Sequence, residues 1–273
     1  MRLVLTLLVR DEEDVVEANI LFHLRQGVDF IVAMDNLSTD RTPQILHKYK
    51  NAGVLHYLEQ SADVYDQSRW VTEMSEVART RHGADWVICC DADEFWWPNT
   101  GTLKTTLEAV PAQFMAAQAA RSNFLAVPGN EPFYDRMIYR ERVSFNNLGK
   151  PLPGKVAHRA IAGIVVEQGN HSVRSIPSEA VAALDATILH FPVRSLEQIE
   201  NKIAKGGAAY ERNTQLPESI GGTWRALYKE LNGAGNLRQY FQSCCVNRGQ
   251  LSGELESGKI MIDRRLSEYM RSV

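Results

Sequence analysis

Residues 83–97 read GADWVICCDADEFWW, and this stretch decides the fold that we expect. The apolar run 86–90 is too short for a helix and is typical of a strand that is buried on both faces. Strands of this kind occur mainly in parallel sheets that helices cover on both sides. The run therefore predicts a central strand of an α/β protein, with acidic residues directly after it.

The residues before this strand alternate between short apolar runs and helical periodicity. Further strands are predicted over 3–9, 30–34 and 54–58, with helices between them, and a helix over 66–82 leads into the central strand. This alternation is the pattern of βαβ units.

The later part of the chain changes character twice. Between 111 and 191 the periodicity is blurred into short strands, and after residue 195 apolar residues return at helical spacing. We therefore predict a mostly parallel central sheet with flanking helices in residues 1–192. A helical extension packed on it is predicted for residues 193–273.

Composition excludes several classes of protein. The 273 residues contain 30 Lys and Arg against 33 Asp and Glu, which argues against a nucleic-acid binder that works through bulk positive charge. The apolar run 3–9 is too short for the core of a signal peptide with its cleavage site. No run reaches the roughly 18 apolar residues of a transmembrane helix, so we expect a cytoplasmic protein.

Acidic residues follow the predicted strands at what should be one edge of the sheet. Asp11 and Glu12 follow the first strand, Asp35 follows the second, and Asp91 follows the strand at 86–90. Ligands of open parallel sheets bind at the carboxyl ends of the strands. One acidic loop is usually a helix cap or a solvated turn, but several at one edge repel each other unless a cation or hydrogen-bond donors compensate.

The segment Asp91-Ala92-Asp93 is the strongest candidate for a metal site. In an extended chain, residues two apart point to the same side, so Asp91 and Asp93 would lie about 6.6 Å apart along the strand. Mg²⁺ or Mn²⁺ accepts such carboxylates together with phosphate oxygens, which indicates a nucleotide diphosphate as partner. The alternative is a capping turn before Pro98.

A bound diphosphate also needs positive charge to compensate its negative charge. Lys155 and Arg159 share one face of a predicted strand, and Arg69 lies on the helix ahead of the strand at 86–90. Lys155 is the first candidate and Arg69 the second. Lys155 and Arg159 are open to the alternative of ordinary solvated charges.

Two long segments resemble the family 2 type of glycosyltransferase with the GT-A fold. They are VRDEEDVVEANILFHLRQGVDFIVAMDNLSTDRTPQIL (9–46) and GADWVICCDADEFWW, and the closest branch carries a DxDEF motif. The later segments GNHSV (169–173), ILHFP (188–192) and RSLEQIENKIAKG (194–206) are similar to further motifs of that branch. The resemblance implies metal-dependent transfer of a sugar from a nucleotide-diphosphate sugar to a hydroxyl of a carbohydrate acceptor. UDP-sugars are favoured over GDP-sugars, with Mn²⁺ or Mg²⁺ as the metal.

The resemblance also implies roles for single residues. Asp93 would be the main metal ligand, Asp91 would lie near the ribose or the metal, and Asp35 would hold the base or ribose. The nucleotide would be lined by Val9, Arg10 and Glu12. His190 would complete the metal site, with a hydrogen-bonded core histidine as the alternative. Asp11 stands where the branch has Asn, so we expect it to bind backbone rather than nucleotide.

The general base stays open. An inverting transfer needs a carboxylate or histidine within reach of the acceptor hydroxyl. Glu131 lies on a loop shaped by Pro and Gly, and Glu167 and His171 compete with it. His171 lies in a turn sequence where an accessible side chain is expected, with catalysis, acceptor binding or simple exposure as its roles.

Two other functions compete with glycosyl transfer. A sugar-phosphate nucleotidyltransferase would carry a basic, Gly-rich loop after the first strand, where this chain is acidic. A non-catalytic carbohydrate-binding protein would have no reason to bind a nucleotide diphosphate with metal. The basic stretch 259–271 is a candidate for peripheral contact with a partner chain or an anionic membrane surface, and an amphipathic closing helix is the alternative.

Overall fold

The computed structural model describes residues 1–145, 149–217 and 220–272. Its strands are β1 (Leu3–Val9), β2 (Phe30–Asp35), β3 (Leu55–Glu59), β4 (Trp86–Asp91), β5 (Glu94–Pro98), β6 (Ala116–Asn123), β7 (Tyr139–Glu141), β8 (Lys155–Arg159), β9 (Val181–His190) and β10 (Ile260–Ile262). Its helices are α1 (Val16–Arg25), α2 (Thr42–Asn51), α3 (Gln67–His82), α4 (Leu103–Glu108), α5 (Phe133–Arg136), α6 (Leu196–Arg212), α7 (Gly222–Ala234), α8 (Arg238–Cys244), α9 (Leu251–Glu256) and α10 (Arg265–Arg271).

An eight-stranded sheet has the order β3-β2-β1-β4-β8-β6-β9-β5. Its first half is parallel, since β1 pairs with β2 and β4, and β2 pairs with β3. Antiparallel pairing joins β4 to β8, β8 to β6, and β9 to β5. The predicted α/β class and the parallel strands of the first hundred residues are confirmed. The blurred middle of the sequence forms the antiparallel strands β6, β8 and β9.

The β4 strand lies in the centre of the sheet, as its apolar run predicts. Val87, Ile88 and Cys89 are fully buried. On one face, α3 packs Trp70 and Met74, which are four residues apart and so share one side of the helix. Burial of each large apolar side chain stabilises the fold by about 1.5–3 kcal/mol, so this layer fixes the position of β4.

The chain forms two compact units. The first contains residues 1–62 and 66–121 and, of the described residues, 149–190. The second contains residues 63–65, 122–145 and the described residues from 191 to 272. The placement of 122–145 with the C-terminal helices is a grouping that the sequence pattern does not predict.

Two glycines set the helix packing within the second unit. A Cβ atom on Gly206 would lie 2.4 Å from the Trp224 ring, and one on Gly207 would lie 2.5 Å from Cβ of Tyr228. Only glycine allows α6 and α7 to approach this closely. The apolar core of this unit includes Ile203 of α6.

The basic C-terminal stretch 259–271 does not form the single closing helix that is one of its two predicted alternatives. Its first part forms β10, which pairs with β7, and only 265–271 is helical. Asp263 accepts charged hydrogen bonds from Arg140 at 2.6 Å and from Arg265 at 2.6 Å. Part of the positive charge of the stretch 259–271 is therefore paired within the second unit. Among the helices of the described residues, none is both long and apolar enough to cross a membrane.

Candidate active site

The loops after β1, β2 and β4 emerge at the same edge of the sheet. In the pairing register, Val9 lies opposite Asp35, and Leu8 lies opposite Asp91. Neighbouring strands are about 4.8 Å apart, so the carboxylates that follow them are brought close together. The register thus confirms the convergence that the sequence predicts.

The loops after β1 and β2 hold each other in strained conformations. Asp11 and Leu37 have φ angles of 52° and 59°, which non-glycine residues rarely adopt. The Thr39 amide donates to Asp11 Oδ1 at 2.7 Å, and the Asp11 amide donates to Ser38 Oγ at 2.9 Å. Asp11 therefore binds backbone, as predicted. Such strain, of order 1–3 kcal/mol per residue, clusters at functional sites.

Asp35 ends β2 and is only 6% exposed. Its Oδ1 accepts a hydrogen bond from the Ser38 amide at 3.3 Å, and its Oδ2 accepts one from the Tyr57 hydroxyl at 3.2 Å. Burial raises the pKa of Asp35, against these hydrogen bonds. A carboxylate has about four acceptor positions, so Asp35 retains acceptor capacity toward a ligand.

The segment after β4 turns, which corrects the extended geometry expected from the sequence. Asp91 is the last residue of β4, Ala92 and Asp93 form a turn, and Glu94 begins β5. The chain turns here because β5 leaves the parallel strands and pairs with β9. Asn19 of α1, fully buried, donates its amide to the carbonyl oxygens of Ala92 at 3.0 Å and Glu94 at 2.8 Å, and so holds the turn.

Lys155 binds carboxylates of this turn. Its Nζ donates to Asp91 Oδ2 and lies 2.9 Å from Glu94 Oε1, and its side chain is 2% exposed. Burial alone would lower the pKa of Lys155, but Asp91 and Glu94 outweigh it and raise that pKa above its usual value. The structure therefore gives Lys155 two carboxylates as partners, the partly exposed Asp91 and the fully buried Glu94, in place of the exposed position that a diphosphate ligand would need.

The other oxygen of Asp91 is held by two amides. Gln67 Nε2 and Asn170 Nδ2 each donate to Asp91 Oδ1 at 3.1 Å. Gln67 also accepts a hydrogen bond from the Gly169 amide at 2.9 Å. Asn170 is fully buried with a φ of 58°, and its Oδ1 has no partner among the described residues. Strain and an unpaired acceptor are thus retained at the residue that fixes Asp91.

Asp93 lies beside His190. Asp93 Oδ1 is 3.5 Å from His190 Nε2, and His190 pairs with Glu94 in the register of β5 and β9. Burial lowers the pKa of His190 to about 4, although Asp93 opposes the shift, so the imidazole is neutral at pH 7. Within the described residues, no group of three His, Cys, Asp or Glu side chains is arranged to hold a metal. Of the three predicted metal ligands, Asp93 and His190 lie side by side. The carboxylate of Asp91 instead accepts hydrogen bonds from Lys155, Gln67 and Asn170.

The other two predicted cations, Arg159 and Arg69, lie in different parts of the structure. Arg159 is opposite Trp86, at the end of β4 away from Asp91, and its guanidinium donates to the Phe114 carbonyl at 2.9 Å. Its predicted role at the nucleotide is wrong, because strand direction places it at the other edge of the sheet. Arg69 is exposed in the first turn of α3, two residues after Gln67.

The candidate bases have different surroundings. Glu131 is exposed in the second unit. Hydrogen bonds from Ser172 and Arg174 lower the pKa of Glu167. His171 is half-buried, its Nδ1 is 2.8 Å from the Gly154 carbonyl oxygen, and burial lowers its pKa to about 4. A group with a lowered pKa is a weaker base, so these contacts favour neither Glu167 nor His171 as the general base.

Sequence reasoning missed several buried polar residues of this site. They are Asn19, His23, Gln67, Glu94, Arg121 and Asn170. A signal existed for two of them, because Asn19 and His23 lie four residues apart beside the apolar stripe of α1. Arg121 carries a signal as well, since it is the one charge in the β6 sequence AAQAARSN.

His23 predicts acid sensitivity of the fold. Its Nδ1 donates to the Asn19 carbonyl at 2.9 Å, its Nε2 accepts from the Trp96 amide at 3.3 Å, and burial lowers its pKa to about 4. Between pH 6.5 and 4 the unfolded chain therefore binds the proton more readily, and stability falls as the pH falls. We expect His23 to contribute about 2 kcal/mol of this loss at pH 4.5.

Urea unfolding at pH 7 and pH 4.5 checks this expectation. His23→Gln should lose less stability between the two pH values than the wild type does. Equal losses in both proteins would show that His23 does not stay buried and neutral in the native state.

Comparison with known proteins gives distant structural likenesses. No protein-family model matches the chain, and no curated protein sequence matches it. TarS of S. aureus, solved with UDP, is 14% identical over 92% of this chain and 77% of its own, with a TM-score of 0.43. A mannosyltransferase from Pyrobaculum calidifontis, solved with GDP-Man and Mn²⁺, is 16% identical over 83% and 69%, with a TM-score of 0.42.

A third solved structure is glucosyl-3-phosphoglycerate synthase from Mycobacterium tuberculosis, in complex with Mn²⁺, UDP and glucosyl-3-phosphoglycerate. It is 12% identical over 78% of this chain and 81% of its own, with a TM-score of 0.41. Because none of these three likenesses exceeds a TM-score of 0.43, the function of the chain is inferred from its own residues.

Proposed function

We propose that the chain is a glycosyltransferase that takes a nucleotide-diphosphate sugar as donor and a carbohydrate hydroxyl as acceptor. The observation that carries the proposal is the convergence of Asp35 and the Asp91–Glu94 turn at the carboxyl edge of the parallel strands. Ligands of open α/β sheets bind at this edge. The motifs in residues 9–46 and 83–97 point to the same activity.

The nucleoside is proposed to lie over the ends of β1 and β2. Asp35 is buried, its position is fixed by Ser38 and Tyr57, and it keeps acceptor positions for the N–H of a base or the hydroxyls of a ribose. The segment Val9 to Glu12 would form the neighbouring wall, with UDP-sugars expected ahead of GDP-sugars.

The donor set beside Asp93 fits a divalent cation. The Asp93 carboxylate and the neutral imidazole of His190 would hold Mn²⁺ or Mg²⁺, and diphosphate oxygens would supply further ligands. The carboxylate of Asp91 accepts hydrogen bonds from Lys155, Gln67 and Asn170. We therefore propose that Asp91 sets the shape and the charge of the turn and is not a metal ligand. When bound, the metal neutralises charge on the departing diphosphate.

A thermal-shift screen of nucleotide-sugars with Mn²⁺ and with EDTA tests the proposal. A ligand that binds the native state stabilises it by about 2.7 kcal/mol at a concentration 100 times its Kd. We expect one nucleotide class to raise the Tm, and to do so more strongly with Mn²⁺. A sugar-phosphate nucleotidyltransferase would respond to a nucleoside triphosphate instead. If no nucleotide raises the Tm, the proposal is wrong.

Asp35→Ala is expected to weaken nucleotide binding about 10- to 100-fold, the loss expected from one or two hydrogen bonds to a charged group. The factor should be the same with and without Mn²⁺, because the proposed partner is the nucleoside. Calorimetric titration of the free nucleotide measures it. Glu59→Ala is the matched control, since Glu59 is an exposed carboxylate opposite Asp35 on β3. A loss that occurs only with metal would contradict the role of Asp35.

A further inference from the structure

Arg121 of β6 is a largely buried cation with few contacts. Its side chain is 12% exposed, and NH1 lies 3.7 Å from Glu94 Oε1. Its Nε is buried without a hydrogen-bond partner in the part of the chain that the structure describes. Glu94 itself lies closer to Lys155, at 2.9 Å, so Arg121 shares an anion that is already paired.

An arginine in this state is costly unless something else binds it. The guanidinium carries five N–H donors and stays charged at every physiological pH. Buried donors are nearly always satisfied, and an unsatisfied buried donor costs free energy. The remaining donors of Arg121 therefore indicate an anionic ligand that reaches the exposed part of the guanidinium.

The register places Arg121 in the candidate active site. Lys155 lies opposite Ala119, and residues two apart on a strand share a face, so Arg121 and Lys155 lie on the same face of the sheet. Glu94, whose Oε1 is 3.7 Å from Arg121 NH1, directly follows Ala92 and Asp93 in the turn after β4. Arg121 thus lies among the charges around the Asp91–Glu94 turn.

We propose that Arg121 binds the diphosphate of the nucleotide-sugar donor. This inference rests on the proposed function and assigns to Arg121 the place that Lys155, held by two carboxylates, does not fill. The planar guanidinium matches two oxygens of a phosphate group at once, which a lysine cannot do. Arg159 is at the other edge of the sheet, so it does not compete for this role.

Calorimetric titration of the full chain with uridine, UDP and inorganic pyrophosphate, at a fixed excess of Mg²⁺, tests the proposal. Arg121→Gln should weaken UDP and pyrophosphate about 10- to 100-fold and leave uridine unchanged, because only the charged hydrogen bonds are lost. Arg121→Lys keeps the positive charge but not the planar guanidinium, and should give an intermediate loss of affinity for UDP and pyrophosphate. Arg79→Gln is the matched control, since Arg79 forms a surface ion pair with Glu76 on α3.

Each outcome decides between the two proposals. If Arg121→Gln binds UDP as tightly as the wild type, the role of Arg121 is overturned and the proposed function stands. An equal loss for uridine and UDP also overturns it, because Arg121 would then act on the fold.

If the wild type binds pyrophosphate through Arg121 but no nucleotide, the anion site stands and the proposed function fails. Binding of none of the probes by the wild type overturns both. If Arg121→Gln does not fold, Arg121→Lys carries the test by the same comparison of UDP with uridine.

Discussion

Asp93→Ala is expected to lower glycosyl transfer at least about 10²- to 10³-fold, the range measured when one electrostatic stabiliser of a transition state is removed. The same change should abolish the Mn²⁺-dependent part of nucleotide binding. Asp93 is 3% exposed beside His190, in a turn that Asn19 holds through the backbone, so its removal should leave the fold intact. Transfer assays and calorimetry with nucleotide and Mn²⁺ measure the two effects.

Asp185→Ala is the matched control for Asp93→Ala. Asp185 is an exposed carboxylate of the same unit that accepts a hydrogen bond from Asn99 at 2.6 Å, far along β9 from His190. Its removal changes the net charge by the same amount and should leave transfer unchanged. An unaltered affinity of Asp93→Ala for nucleotide with Mn²⁺ would refute the metal site.

Lys155→Met is expected to lower the free energy of unfolding by about 3–5 kcal/mol, because removal of one member of a buried ion pair leaves its partner charge uncompensated. Here the uncompensated groups are Asp91, which is 28% exposed, and Glu94, which is fully buried. Arg121, at 3.7 Å from Glu94, offsets part of the loss. Urea unfolding at pH 7 measures the change.

Two further variants identify the cause of this loss. Lys104→Met breaks a partly exposed ion pair to Asp29 at 2.8 Å and should cost at most about 1 kcal/mol. Glu94→Gln in the Lys155→Met background removes the buried negative charge and should recover part of the stability. If Lys155→Met costs no more than Lys104→Met, the lysine is not the buried counter-charge of this turn.

The parallel half of the fold could be predicted because its signals are local. An apolar run such as 3–9 or 86–90 predicts its own strand, and the predicted and observed bounds of β1 agree. The antiparallel strands β6, β8 and β9 have weaker alternation and small residues such as the alanines of β6, so their period is hard to detect. The turn at Ala92 and Asp93 was missed because pairing of β5 with β9, about 90 residues away, reverses the chain there.

The local pattern of apolar and acidic residues was enough to place Asp35 and Asp91 at one edge of a parallel sheet, because strand direction and the position after a strand are properties of the nearby chain. The partners of Asp91 required the tertiary structure. Gln67, Lys155 and Asn170 are 24, 64 and 79 residues away along the chain. Whether a lysine faces solvent, a diphosphate or a buried carboxylate depends on which distant side chains pack around it and exclude water. Burial and charge pairing of this kind leave no periodic trace in the sequence.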